Sequence, residues 1–351
     1  MTPRTAGPAV TVVIPTIGRA SLAETLAAIG PGLEVVVVDD RPEPGPRDRA
    51  ARPLDVPDGV RVLRSGGRGP AAARNIGWRA AATPWVVFVD DDVVPGPGWA
   101  EALARDLAGL PEDVGGSQGR LEVPPPKGRR PTDAERNTAG LADARWITAD
   151  MAYRRSALEA AHGFDERFPR AYREDCDLAL RVERSGFALV KGERLTRHPV
   201  RRDGFWASVR FQRGNADDAL MRRLHGPGWR LLAGGAPGRL RRHAATTAAG
   251  LLALALAGTA VARGRPICGG AAPGRPPFGG TAGLAGLAGL AGLAGLAWLG
   301  LTAEFAWARI APGPRTPEEV LRMIVTSVVI PPVACAHRLR GELSARTGGH
   351  G

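Results

Sequence analysis

Residues Trp85 to Pro95 read WVVFVDDDVVP, so a strand-like run ends in three consecutive carboxylates, Asp90, Asp91 and Asp92. A second strand-like run, EVVVV, ends in Asp39 and Asp40. Adjacent anions repel one another, and several acids converging at one edge are costly unless a cation compensates them. A lone Asp-Asp pair reads equally well as a solvated turn or a helix cap. Two acidic strand ends in one half of a chain ask for more. A hard divalent ion, Mn2+ or Mg2+, held by oxygen ligands and shared with a substrate diphosphate, is the economical explanation.

The acids need strands to position them. Short apolar runs at 9–15, 33–40, 60–65 and 85–89 alternate with helical patterns over SLAETLAAIG and about Ala71–Ala82. Continuous β-branched runs separated by helices predict an α/β domain of the doubly wound kind, a parallel sheet with helices on both faces. In such sheets ligands bind beyond the carboxyl ends of the strands, which is where these acids fall.

The 351 residues leave room for this domain and a second region. A net charge of +12 suggests nucleic acid or anionic lipid, but only Lys127 and Lys191 of the 47 basic residues are lysine. So arginine-heavy a composition, crowded with Ala, Gly and Pro, is what GC-rich coding produces, and no nucleic-acid partner is expected. Cys176, Cys268 and Cys335 show no metal-ligand spacing. The first residues lack a secretory pattern, which places the first domain in the cytoplasm.

Past residue 240 the charges thin out. AATTAAGLLALALAGTAVA (244–262) and the run 276–303 carry no ionisable residue and reach the ~20 residues of a bilayer span. The second run contains Gly-Leu-Ala five times from Gly283 to Ala297. A period of three drifts around a helix and spreads leucine over every face, as suits a segment surrounded by lipid or other helices. A third stretch, 323–336, is shorter and interrupted by Pro331-Pro332, so it reads as interfacial. The arginines of GRLRRH (238–243) hold the start of the first run in the cytoplasm, while Arg263, Arg265 and Arg275 in the following loop oppose that sidedness. The expected organisation is a flexible 1–8, a catalytic domain 9–225, a basic linker 226–243 and a membrane-associated helical region 244–342. Within that region spans are expected at about 244–262 and 278–303, with an interfacial helix at 317–340. Residues 343–351 are expected to be disordered.

Five ordered motifs between Ala9 and His198 resemble the family-2 glycosyltransferases of the GT-A fold, which implies a mixed, mostly parallel sheet with helices on both faces. They are VTVVIPTIGR (10–19), VVVVDDRP, GRGPAAARNIGWRAA (67–81), FVDDD, and the pair TADMAYRRSALEAAHGFDERF (148–168) with REDCDLALRVERSG (173–186). The resemblance implies that Pro15, Thr16 and Arg19 line the nucleotide and that Asp39, or else Asp40, accepts a hydrogen bond from the base. Gly69 would let the backbone approach the nucleotide, with Arg74 and Asn75 facing the same pocket; a helix-surface cation is the plain alternative for Arg74. Asp90 and Asp92 take the outer positions of the D-x-D motif, Asp92 as metal ligand and Asp90 at the ribose or metal edge, with Asp91 between them. His198 would add a late metal or diphosphate contact, or be merely structural. Asp175 is the general base for an acceptor hydroxyl, with Glu174 orienting it. Asp177 reads as a helix N-terminal acid. Asp150, Met151, Gly163, Phe164, Asp165 and Glu166 would shape the acceptor side, where Asp150 replaces the family's usual Asn.

The processive Q-x-x-R-W signature is absent; the nearest string is FQRGN (211–215). The implied activity is Mn2+- or Mg2+-dependent transfer of a single sugar from a UDP-, GDP- or dTDP-sugar to a lipid-linked or envelope glycan acceptor. It would take place on a multi-pass cell-membrane protein whose catalytic domain is cytoplasmic. A nucleotidyltransferase also places acids at α/β strand ends, but IPTIGRAS is a poor phosphate loop. A degenerate membrane scaffold would have lost acids that are all present here.

Overall fold

A computed structural model describes residues 7–43, 53–200, 204–264 and 281–347. Arg265 and Arg275 of the loop between the expected spans lie outside the described residues, as do positions 1–6 and 348–351 of the two expected disordered ends.

The chain divides into two compact units that do not follow chain order: 1–127 with 135–202 and 221–236, and 128–134 with 203–220 and 237–351. Among the described residues the first holds eight strands: β1 (Val10–Thr16), β2 (Glu34–Asp39), β3 (Arg61–Arg64), β4 (Trp85–Val89), β5 (Val94–Pro95), β6 (Val114–Glu122), β7 (Asp150–Arg154) and β8 (Ala188–Arg197). They form one sheet in the order β3-β2-β1-β4-β7-β6-β8-β5. β1 to β4 run parallel to their neighbours among themselves. β7 enters antiparallel between β4 and β6, while β8 lies parallel to β6. The sheet is therefore mixed, as expected.

Alternation along the strands separates two cores. Val12, Ile14, Val35, Val37, Val87 and Val89 pack on one face with Leu22, Leu26, Trp99 and Leu103 of helices α1 (Ser21–Ile29) and α3 (Trp99–Leu107). Val13, Val36, Val38, Val86 and Phe88 pack on the other with residues of α2 (Pro70–Ala80), α5 (Arg155–Ala160) and α6 (Glu174–Arg184). Burial on both faces explains why the strand sequences are continuous apolar runs and not alternating ones. Gly77 brings α2 onto β1 so closely that a Cβ there would collide with Val13.

Helix α4 (Asp133–Ala139) begins in the second unit and ends in the first, as does α8 (Gly214–His225); α7 (Ala207–Arg210) lies in the second and α9 (Trp229–Leu232) in the first. The second unit is built on three long helices: α10 (Leu240–Gly264), α11 (Thr281–Ile310) and α12 (Pro317–Thr347). α10 and α11 form an antiparallel pair, with Phe305 beside His243, Trp298 over Gly250, and Glu304 bonded to Arg239 and Arg242. Their leucines face outward; Leu254, Leu293 and Leu296 are all largely exposed.

All three helices are long and apolar enough to cross a membrane. α12 contains the interfacial helix expected at 317–340 and runs on to Thr347, unbroken through Pro331 and Pro332. Prolines cost a helix its bonds to preceding carbonyls, yet Ile330 and Ala334 on either side are buried. Residues 343–347, expected to be disordered, complete it.

Candidate active site

Parallel register sets the strand ends side by side. Val13 lies opposite Phe88 and Thr16 opposite Asp39, so the residues following β1, β2 and β4 converge at one edge. Past β4 the chain forms β5, whose Val94 pairs with Arg197, and this brings Asp92 to His198 at the end of β8. Arg173, in the left-handed region at φ 78, turns the chain into α6 and delivers Glu174 and Asp175 to the same place. The result is a cavity of about 410 Å3.

Eleven of the expected site residues line it: Pro15, Thr16 and Arg19 at the end of β1, Asp40 after β2, Arg74 on α2, Asp90, Asp91 and Asp92 after β4, Glu174 and Asp175 on α6, and His198. The three consecutive aspartates are held differently. Asp91, 2% exposed, accepts from Thr16 Oγ1 and Arg19 Nη1, both at 2.6 Å. Its two oxygens are committed to fixing the β1 loop, which leaves it a positioning acid. Asp90 accepts from Arg74 Nη2 at 2.7 Å. Asp92 faces His198, with Nε2 and Oδ2 4.0 Å apart.

The His198 contacts bear on a metal. Nδ1 lies 3.1 Å from the Pro199 carbonyl, and Nε2 faces Asp92. A carboxylate oxygen and an imidazole nitrogen, both ligand types for a divalent ion, thus meet at the cavity wall. Among the described residues no group of three or more His, Cys, Asp or Glu side chains forms a closed metal cage. A sparse protein donor set fits an ion whose remaining positions are taken by diphosphate oxygens and water.

Arg74 joins the two halves of the site. It is 1% exposed and bonds Glu174 Oε1 through Nη1 at 2.8 Å while Nη2 holds Asp90. Glu174 is equally buried, and its Oε2 has no hydrogen-bond partner. Burial, reinforced by the charge of Asp175, pushes the Glu174 carboxyl up to about 8, against the pull of Arg74. Burial also raises Asp175, which is partly buried, lines the cavity and accepts from the Cys176 amide at 2.7 Å.

A pH dependence follows. Because the folded Glu174 holds its proton up to about 8 and an ordinary glutamate only to 4.5, the folded state binds more protons between these values. The stabilisation from Glu174 is full below the lower value and is lost as pH rises through the upper one. Thermal melts of Glu174→Gln are expected to change less between pH 5 and 8 than those of the unsubstituted protein; parallel curves would contradict this.

The other expected residues do not line the cavity. Asp39 is clamped by Arg41, through Nε at 2.8 Å and Nη2 at 2.7 Å. Burial pulls its carboxyl upward, but these bonds outweigh that and hold it below its usual value. The neighbouring Asp40 takes the cavity-facing position instead. Gly69 gives its N–H to Asp40 at 3.1 Å, and φ 99 and the Pro169 carbonyl, 3.1 Å from where a Cβ would stand, both favour glycine there. Asn75 is also turned away from the pocket. Its amide exchanges bonds with both the N–H and the C=O of Phe164 and reaches Glu166, so it clamps the 163–166 turn. Gly163 packs against Asn75, where a Cβ would clash, and Phe164 and Met151 lie in the core. Asp165 is tied to Arg167 at 2.6 Å.

Asp150 corrects the acceptor expectation most directly. It is fully buried, ion-paired to Arg194 at 2.7 Å, and accepts from Trp99 Nε1 and Thr196 Oγ1. With its oxygens saturated, it braces β7 against β8. Asp177 is likewise internal, bonded to Arg181 and to His225 Nε2 at 2.8 Å. Sequence reading missed an apolar wall of Ile17, Leu141, Ile147 and Ala149, and also Thr148 and Arg170. Leu141 and Ile147 sit in the irregular β6–β7 connection, where no periodicity marks them.

Residues 11–159 match the family described as Glycosyl transferase family 2. Over 101 residues the chain is 41% identical to the pre-mycofactocin glycosyltransferase of Mycobacterium tuberculosis; the match covers 27% of this chain and spans only 20% of that relative. Among solved structures, a mannosyltransferase from Pyrobaculum calidifontis in complex with GDP-Man and Mn2+ is 19% identical, covering 96% of this chain and 88% of its own, with a TM-score of 0.43. Glucosyl-3-phosphoglycerate synthase from Mycobacterium tuberculosis, in complex with Mn2+, UDP-Glc and phosphoglyceric acid, is 20% identical over 63% of this chain and 81% of its own, with a TM-score of 0.41. The match to the Glycosyl transferase family 2 model takes in β1 to β7 and the three consecutive aspartates.

Proposed function

We propose that this protein transfers a single sugar from a nucleotide-diphosphate sugar to a hydroxyl acceptor, with inversion at the anomeric carbon. The observation carrying the reading is the meeting, in one cavity, of Asp92 with His198 on one side and Asp175 on the other, with Arg74 bridging Asp90 to Glu174 between them. Asp175 accepts the proton of the acceptor hydroxyl as that oxygen bonds to the anomeric carbon, and the diphosphate leaves with the electron pair of the broken bond. Asp92 and His198 would hold Mn2+ or Mg2+, which supplies charge stabilisation to the departing diphosphate. Glu174 is locked by Arg74 and orients the helix end that presents Asp175. Asp40 and the β1 loop, fixed through Asp91, line the nucleotide. The missing Q-x-x-R-W string supports single-sugar transfer.

The test uses the full chain in detergent with a panel of radiolabelled UDP-, GDP- and dTDP-sugars, with Mn2+ and with EDTA. Metal-dependent release of a nucleoside diphosphate is expected with one of them. Release of pyrophosphate would instead identify a nucleotidyltransferase, and inertness to the whole panel a scaffold.

The exposed apolar lengths of α10 and α11 support a membrane hairpin, with Arg239, Arg241 and Arg242 keeping the start of α10 in the cytoplasm. α12 differs. A third of its apolar window is buried, against 6% and 0% for the other two. Near its ends Glu319 bonds the Asp133 amide and Gly341 abuts Ala216, which is followed by Asp217 and Asp218. Such charged company is foreign to a lipid-embedded helix, so α12 lies outside the hydrocarbon. Two spans return the chain to its starting side. The full chain should therefore resist alkaline carbonate extraction, and a reporter fused after residue 351 should be on the same side as one at the N-terminus. Opposite sides would mean that α12 crosses.

A further inference from the structure

The turn that presents Asp175 is held from outside its own helix. α6 carries Glu174, Asp175 and Asp177 in its first turn, where a helix N-terminus favours acids. Glu174 and Asp175 line the cavity, whereas Asp177 is turned inward and fully buried. Its Oδ2 accepts from Arg181, which lies on the same helix, and its Oδ1 stands 2.8 Å from Nε2 of the buried His225. His225, the last residue of α8, thus reaches this acid from another helix.

Four residues on, Trp229 holds the other end of the same turn. Gly226, in the left-handed region at φ 80, bends the chain between the two. Trp229 is 3% exposed, and the Arg173 guanidinium lies over its ring, 4.8 Å from the centroid, and over the ring of Tyr172 at 4.4 Å. Arg173 is also the residue that adopts φ 78, a conformation that a side chain other than glycine keeps where its surroundings impose it. Its carbonyl accepts the Asp177 amide at 2.8 Å and closes the turn. Residues 173 and 177 bracket Glu174 and Asp175, and both are gripped by the short segment 225–229. All of these residues belong to the first unit, which includes 135–202 and 221–236.

His225 and Trp229 do not themselves line the cavity. Their effect on it runs through the backbone of α6. A buried carboxylate that loses one of its partners is left partly uncompensated, and an arginine that loses its aromatic platform gives up a cation–π contact. Either loss frees the first turn of α6 to shift, and a misplacement of about 1 Å at a reacting group can cost ~10²-fold in rate. We propose that His225 and Trp229 are positioning residues: by holding residues 177 and 173 they fix the first turn of α6, and with it the direction in which Asp175 meets the acceptor hydroxyl. The hold on the turn is a property of the fold; its catalytic consequence rests on the glycosyltransferase reading.

Amide hydrogen exchange on the full chain in detergent tests the hold without knowledge of the substrates. In His225→Leu, and independently in Trp229→Leu, peptides covering 173–184 are expected to exchange at least ~10-fold faster, while peptides of β1, β2 and β4 keep their protection. His225→Gln keeps a side-chain N–H donor and Trp229→Phe keeps a ring, so both should stay close to the unsubstituted protein. Unchanged exchange over 173–184 in both leucine variants overturns the proposal, as does loosening or loss of the fold spread over the strands in both. Conservative variants as loose as the leucine ones would show that side-chain volume and not these contacts holds the turn, and would overturn it too. Should one leucine variant alone fail to fold, the other decides by the same criterion.

A second measurement separates the catalytic consequence from a general weakening of the structure. With the donor that the panel of UDP-, GDP- and dTDP-sugars identifies, the leucine variants are expected to lose turnover about tenfold. Their KM for the donor should stay within about twofold of the unsubstituted protein, and the conservative variants should recover the rate. Unaltered turnover, or a rise in donor KM in step with the loss of rate, would overturn the positioning role. If the unsubstituted protein turns over no donor, the glycosyltransferase reading fails, and the exchange measurement alone decides whether the turn is held in this way.

Discussion

Asp175→Asn is expected to lower sugar transfer by ~10² to 10⁴-fold, the range for loss of a positioned general base, while nucleotide-sugar binding stays nearly constant. The asymmetry follows from where the carboxylate stands. Asp175 opens onto the cavity, whereas its neighbour Glu174 is 1% exposed and engaged by Arg74. A base touches the acceptor and not the diphosphate, so the substitution removes stabilisation realised only in the transition state. Burial raises the Asp175 carboxyl above its ordinary value, which makes it a stronger base and sets the sign of the acid limb. The deprotonated form is the active one, so turnover should fall as pH drops through that raised value, and the limb should vanish in the Asn variant. Glu174→Gln keeps one acceptor for Arg74 and should lose less. If Glu174→Gln were as damaged while Asp175→Asn stayed active, the two roles would have to be exchanged. Retention of anomeric configuration in the product would remove the need for a base of this kind.

β1, β2 and β4 were legible because doubly buried strands write themselves as uninterrupted β-branched runs, and the acids after β2 and β4 stand where parallel strands end. Five motifs then carried the family resemblance. What failed was the reading of each polar residue as facing a ligand. Asp150 looked like an acceptor contact, yet its partner is Arg194, 44 residues away and adjacent only because β7 and β8 flank β6. Asn75 follows Arg74 directly, but one residue along a helix is a turn of about 100°, so Arg74 reaches the acids while Asn75 reaches Phe164. Asp91, the middle position of its motif, is more deeply buried than Asp90 because Thr16 and Arg19 claim it. Burial of this kind depends on long-range pairing, which local spacing does not encode. The helix expected at 317–340 already ran through Pro331-Pro332, and only its last turns, to Thr347, went unread.

Asp92→Asn is the second large effect expected: at least ~10²-fold lower turnover, about 2.7 kcal/mol of transition-state stabilisation, with the fold intact. Asp92 takes the last position of the motif and stands 4.0 Å from His198 Nε2, an imidazole nitrogen that could share one ion with it. Replacing one oxygen by an amide removes the formal charge and one anionic donor but keeps the shape. The Mn2+ concentration needed for half-maximal activity should rise along with the loss of rate. His198→Ala should shift the same quantity by a smaller factor, because a neutral nitrogen ligand contributes no formal charge. If both side chains bind one ion, their effects should be non-additive in the double variant, as expected for groups sharing a partner. Strictly additive losses would mean that Asp92 and His198 act on different parts of the substrate. Near-normal activity and an unchanged Mn2+ response in Asp92→Asn would move the metal away from this motif altogether.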